Sequence, residues 1–168
     1  VFAAKYNWFK QLLAPLIFTV KSIPVASFII LVLIWVRSAQ LSIVISFLMV
    51  FPIFYENVRK GIEMCDQQLL EMADVFELSS FTRIRYIYTS SILPYFQSAC
   101  SLALGLAWKS GIAAEVIGLP KFSIGEHLQQ AKVYFDTADL FAWTLVIILL
   151  STVLEKLVMA LIRMIIKY

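Results

Sequence analysis

Charge is scarce in this 168-residue chain: Asp, Glu, Lys and Arg together make up 15% of it, against 61% hydrophobic residues and a mean hydropathy of +0.86. A soluble domain of this size needs far more charge to cover its surface, so the composition points to an integral membrane protein. Histidine occurs once (His127) and cysteine twice (Cys65 and Cys100), too few ligands for a metal site of ordinary coordination. The two cysteines fall in an amphipathic stretch and in an apolar run, neither of which favours a disulfide. No Gly-rich phosphate loop and no Gly-x-Ser-x-Gly is found, so neither an ATP site nor a nucleophile elbow is expected, and no bound cofactor or metal. The net charge of +3 is modest and unclustered, which argues against a nucleic-acid surface. An initiator Met is missing too, and Val1-Phe2-Ala3-Ala4 before Lys5 is too short for a signal peptide, so an N-terminally incomplete chain is the expectation.

What the chain has instead is a series of uncharged runs. Residues 1–21 mix Lys5, Lys10 and Lys21 with Tyr6, Trp8 and Phe9, a combination suited to a membrane–water interface. From Ser22 to Val36 nothing is charged, but as a helix that run covers only about 22 Å of a hydrocarbon core roughly 30 Å thick, so it reads as a short or shielded span. Arg37 marks an interface, and the run from Ser38 to Tyr55, about 27 Å long as helix, carries Pro52 where a kink near the membrane exit is tolerated. Tyr86 to Trp108 is the longest such run, with Pro94 placed to start the helix proper. A polar loop from Gly118 to Asp139, holding Pro120, Gly125 and His127, has room for a short helix from Gly125 to Tyr134. The last apolar run starts near Leu140 and continues past Glu155-Lys156 as an amphipathic tail to Arg163 and Lys167. The expectation is one all-α polytopic bundle over 1–168, with spans at about 22–36, 38–55, 92–115 and 138–160.

Between the second and third spans lies the only long polar interruption, with six of the eleven acidic residues (Glu56, Glu63, Asp66, Glu71, Asp74, Glu77) and four basic ones (Arg59, Lys60, Arg83, Arg85). Ile62, Cys65, Leu69, Ala73 and Phe76 recur at helical spacing, opposite Glu63, Gln67, Glu71 and Asp74, which predicts an amphipathic helix. Ser79 or Ser80 can cap a second short helix, Phe81 to Tyr88, after a break at Leu78-Ser79-Ser80. A cytoplasmic helix pair over about 57–91 then places nine Lys and Arg inside the cell: Lys5, Lys10, Lys21, Arg59, Lys60, Arg83, Arg85, Arg163 and Lys167. Only Arg37, Lys121 and Lys132 fall outside, in keeping with the positive-inside rule.

Within this stretch Glu71-Met72-Ala73 resembles the EAA loop of permease subunits of type I ABC importers, a motif of EAA, three residues, Gly, nine residues, Ile, one residue and Leu-Pro. Glu71, Ala73 and Ile87 match, Met72 replaces the middle Ala, and Glu77 stands at the Gly position. Thr89-Ser90 replace Leu-Pro, although Leu93-Pro94 follow four residues later. Lys21-Ser22-Ile23-Pro24, the run ending Ile34-Trp35, the segment Gly105 to Gly118 and Ser123-Ile124-Gly125 are similar to corresponding parts of the nitrate/sulfonate/taurine-type permeases.

The resemblance implies a multi-pass subunit of the bacterial cytoplasmic membrane, without catalytic residues, that moves a small solute. The solute class would be a sulfonate, nitrate, a taurine-like anion or a small heterocycle precursor. Implied partners are a cytoplasmic ATP-binding subunit, a second permease subunit forming a homodimer, an extracytoplasmic solute-binding protein and the lipid bilayer. Glu71, Met72, Ala73, Glu77, Ser80, Arg83 and Ile87 are the candidate ATPase-coupling residues.

Trp108, Lys109, Ser110 and Glu115 are candidates for the translocation path, since charge at membrane depth is functional by default. Interfacial snorkelling is the other reading of Lys109, and at six residues' separation Lys109 and Glu115 do not pair on one straight helix. Glu155 and Lys156 read as an inner interface marker, His127 as a polar loop residue. A transmembrane component of an energy-coupling-factor vitamin importer is a rival, but the paired Ala-Arg-Gly-like motifs expected of it are absent. An integral membrane enzyme is another, but the uncharged runs hold no carboxylates for converging catalytic groups.

Overall fold

The computed structural model describes residues 7–166, with seven helices and no strand among them. Lys5, Tyr6 and Lys167, and the side chains of Phe9 and Lys10, lie outside the described part. The all-α bundle expected from the apolar runs is observed. Its helices are α1 (Asn7–Ser22), α2 (Val25–Leu33), α3 (Ser38–Glu63), α4 (Gln67–Val75), α5 (Ser80–Gly118), α6 (Ile124–Val133) and α7 (Thr137–Ile166).

Three of these are long and apolar enough to cross a membrane: α3, α5 and α7. The run at 22–36 does not form the single straight span expected. Pro24 has no N–H to continue α1 and sits in extended backbone, so the chain bends by 106° between α1 and the nine-residue α2. At 1.5 Å per residue α2 reaches only about 14 Å, half a membrane. Val36 then closes on Val32, and α3 starts at Ser38. The Lys21 ammonium at the end of α1 holds the Glu56 carboxylate of α3 at 2.9 Å.

Helices α3 and α5 run antiparallel as the central pair. Gly118 packs on Leu41, the Ser46 hydroxyl donates to the Ala107 carbonyl at 2.9 Å, Phe54 meets Phe96 at 5.6 Å between ring centres, and Gly61 packs on Ile92. At Gly61 a Cβ would stand 2.9 Å from the Ile92 Cα, so glycine is what lets the two backbones approach there. Ile29 of α2 completes a core with Leu41, Ile45, Met49 and Ala114. Pro52 is buried inside α3, which runs unbroken past the expected end at Tyr55 to Glu63.

Helix α5 differs most from the reading of the sequence. Phe81 to Tyr88 is not a separate helix, and Pro94 does not start a new one. The 39-residue helix stays continuous because Arg83–Tyr88 widens into a π turn, with the Thr89 hydroxyl donating to the Ile84 carbonyl at 2.7 Å. A π turn absorbs an extra residue without breaking the rod. Helix α7 packs mainly on α5 and α6, and its membrane-length window is 0% buried.

Candidate coupling site and membrane cavity

The amphipathic helix expected from Ile62 to Phe76 is two helices. Ile62 and Glu63 finish α3, the chain turns at Met64-Cys65-Asp66, and the Asp66 carboxylate caps α4 by accepting from the Gln68 N–H at 2.9 Å. A short acidic side chain competes well for free N–H groups at a helix start and poorly for a place inside one. Helix α4 presents Glu71, Met72 and Asp74 outward and turns Ala73 inward. Ala73, fully buried, packs with Cys65 and Ile87, and Leu70, Leu78 and Tyr88 surround them. Phe76, placed on the packed face by periodicity, is 70% exposed because it lies beyond the last turn.

The end of α4 is a Schellman turn. The Leu78 N–H donates to the Ala73 carbonyl at 2.9 Å and the Glu77 N–H to that of Asp74 at 3.1 Å, with Leu78 packed back on Ala73. Glu77 takes the left-handed position this turn requires, at φ 49°. The residue at the glycine position of the EAA pattern therefore has glycine's conformation. Ser79 is the serine that caps α5, accepting from the Thr82 N–H, while Ser80 is exposed as its first residue.

Arg83 fills the angle between the two helices. Its Nε donates to the Leu78 carbonyl at 2.9 Å, Nη2 to the Ala73 carbonyl at 3.0 Å, and Nη1 to the Asp74 carboxylate. One guanidinium thus holds three acceptors at the negative end of α4. Four residues on, Ile87 is buried against Ala73. The expected coupling residues are brought together, but in two roles: Glu71 and Met72 face out, while Ala73, Arg83 and Ile87 join α4 to α5.

Farther along the bundle, α3, α5 and α7 enclose a cavity of about 650 Å³. Trp108, Lys109 and Glu115 line it, with Ser42, Ser46, Ser151 and Glu155. Ser110 does not: it is 2% exposed, and its hydroxyl turns back onto the Ala107 carbonyl at 3.2 Å. The Trp108 ring faces the cavity while its Nε1, a buried atom, has no hydrogen-bond partner. Glu115 and Lys109 line the same cavity, and the Glu115 carboxylate accepts from the Gly125 N–H at 3.1 Å. That bond seats the start of α6 on α5 at one end of the cavity. Ser123 caps α6 by accepting from the Glu126 N–H, and the Glu126 carboxylate reaches back past the cap to accept from the Phe122 N–H at 2.6 Å. His127 is not a plain loop residue but belongs to α6, stacked on Trp143 of α7 at 4.5 Å.

Reading by residue type missed Ser42, Ser46 and Ser151. Ser42 and Ser46 were visible as an i, i+4 pair on α3, but nothing in the sequence marks which face of α3 meets α5 and α7.

Helices of membrane length bordering a mostly apolar cavity that carries a few serine, lysine and glutamate side chains, with a short helix braced outside the bundle, make up the architecture of a polytopic membrane subunit. The chain belongs to the family of binding-protein-dependent transport system inner membrane components, whose model matches residues 1–167. These are permease subunits of ABC importers, proteins of the inner membrane. Among relatives, the riboflavin transport system permease protein RibX of Chloroflexus aurantiacus is 25% identical over 92% of this chain and 60% of its own length. Two proteins named SsuC, for aliphatic sulfonates transport, are 31% identical in Escherichia coli, over 78% of this chain and 50% of theirs, and 27% identical in Bacillus subtilis, over 70% and 42%. The chain thus spans about half the length of the relatives it matches.

Proposed function

We propose that this chain forms the membrane-spanning core of the permease in an ATP-driven importer, and that α4 is the helix on which a separate cytoplasmic ATP-hydrolysing subunit acts. The observation that carries this reading is the division of labour in α4: an exposed Glu71–Met72 face and a buried Ala73 joined to the longest span. A helix fixed on one side and free on the other passes an external push to the bundle, where a loose loop would absorb it. The permease itself does no chemistry. It pairs with a second permease subunit, a further copy of itself, and takes solute from an extracytoplasmic binding protein. The cavity bordered by Trp108, Lys109 and Glu115 is its part of the translocation path.

The solute is a small organic anion of the sulfonate type. The names of the two SsuC relatives support that class. Uptake by a deletion strain complemented with the complete permease, across a panel of sulfonates, nitrate, taurine and riboflavin, tests it. Restored uptake confined to riboflavin would assign the solute class of RibX instead.

Glu71→Lys tests the coupling surface. Reversing one charge on an exposed face leaves membrane insertion intact, so abundance should be unchanged while co-purification of the ATPase and solute-stimulated hydrolysis fall. Unchanged association and transport would remove α4 from the coupling role.

A further inference from the structure

The nine residues of α4 are too few to hold a helix by themselves, and short turns at 64–66 and 76–79 join it to its neighbours. Its direction is therefore set by what it packs against. One support is the small apolar cluster of Ala73, Cys65 and Ile87. The other is Arg83, whose partly buried guanidinium, 28% exposed, spans the carbonyls of Ala73 and Leu78 and the Asp74 carboxylate. The Ala73 carbonyl also accepts from the Leu78 N–H, so Arg83 and the Schellman turn secure the same atom from two directions. Arg83 opens the π turn of α5, and Ile87 lies one turn further along. The end of α4 is thereby fastened at two consecutive turns of the helix that goes on to line the cavity.

We propose that Arg83 is a positioning residue for coupling: it makes α4 and the start of α5 one rigid body, so that a displacement of the Glu71 face reaches the membrane-spanning part of α5 rather than being lost in the turn at 76–79. This rests on the reading of α4 as the ATPase-coupling helix. It assigns Arg83 a task inside the subunit, not at the surface shared with the ATPase. A guanidinium suits the task because its planar fork reaches three acceptors at once, whereas a lysine ammonium is a single point of charge. Asp74, 68% exposed, is the minor member, and the two carbonyls are the principal ones.

The complete permease, reconstituted in vesicles with its ATPase subunit and binding protein, gives the test in two readouts: solute moved per ATP hydrolysed, and the spread of distances between spin labels at Gln68 and Ser90, both exposed positions on the two helices. For Arg83→Gln the ATPase should stay bound while solute moved per ATP falls about tenfold, the scale of a charge-assisted hydrogen bond lost, and the distance distribution broadens. Arg83→Lys should recover part of both, and Asp74→Asn should show a smaller loss in the same direction. An unchanged ratio and distribution in Arg83→Gln overturns the proposal, and so does loss of ATPase binding matching that of Glu71→Lys, which would make Arg83 a docking contact. If Arg83→Gln fails to insert, Arg83→Lys decides: a ratio and a distance distribution equal to those of the unchanged protein reduce the guanidinium fork to a folding element. Failure of the underlying reading has its own signature, since Glu71→Lys would then leave ATPase association untouched.

Discussion

Glu77 shows what one residue's backbone can reveal. Its φ of 49° costs an L-residue with a full side chain about 1–2 kcal/mol, and its carboxylate stands at the negative end of α4. Glu77→Gly relieves both, against about 0.5–1 kcal/mol of extra chain entropy, so thermal unfolding in detergent should show a subunit at least as stable as the unchanged one. Glu77→Val, β-branched at the same position, should lose about 1–2 kcal/mol. The special position was legible, because the EAA pattern places glycine there. The neighbouring Ala73 was legible as a packed residue, and Ala73→Asp should cost several kcal/mol and most of the membrane abundance, since no group within the cluster of Cys65 and Ile87 compensates a carboxylate. Arg83 was legible as a coupling candidate but not as a brace: its partners are mainly backbone carbonyls of a turn, and no side-chain pattern encodes a carbonyl's direction.

At the scale of elements, apolar runs revealed which segments are helical and misjudged where the helices stop. Stops depend on local competitors for backbone groups. Asp66 ends the α3–α4 continuity by capping, Pro24 ends α1 by lacking an N–H, and the π turn keeps α5 whole where a helix end at Tyr88 and a new start at Pro94 were expected. The seating of α6 follows from one close approach. A Cβ on Gly125 would stand 2.3 Å from the Glu115 Cβ and 2.5 Å from the Val116 nitrogen, and backbone atoms of α5 cannot step aside. Gly125→Ala should therefore lift α6 from α5 at a cost of about 1–3 kcal/mol, breaking the Glu115 bond to the Gly125 N–H. Faster tryptic cleavage at Lys121, just before α6, and at Lys132, in its last turn, both exposed, would report it. Cleavage at the unchanged rate would mean that α6 adjusts in place.

For the whole molecule, the antiparallel pairing of α3 and α5 puts α4 and α6 at opposite ends of the bundle, because α4 follows the end of α3 while α6 follows the end of α5. The separation of charge agrees with that geometry. Arg59, Lys60, Arg83 and Arg85 gather at the α4 end, with Arg163 at the far end of α7, while Arg37, Lys121 and Lys132 lie towards the α6 end. By the positive-inside rule the α4 end is expected to face the cytoplasm. Cysteines at Gln67 and Gln130, exposed positions at the two ends, test this in a background where Cys65 and Cys100 are replaced. An impermeant thiol reagent added to intact cells should label Gln130→Cys and spare Gln67→Cys until the membrane is opened. Labelling of both from outside would mean that α5 does not cross the bilayer, and the reversed pattern would put α4 beyond the reach of any cytoplasmic ATPase.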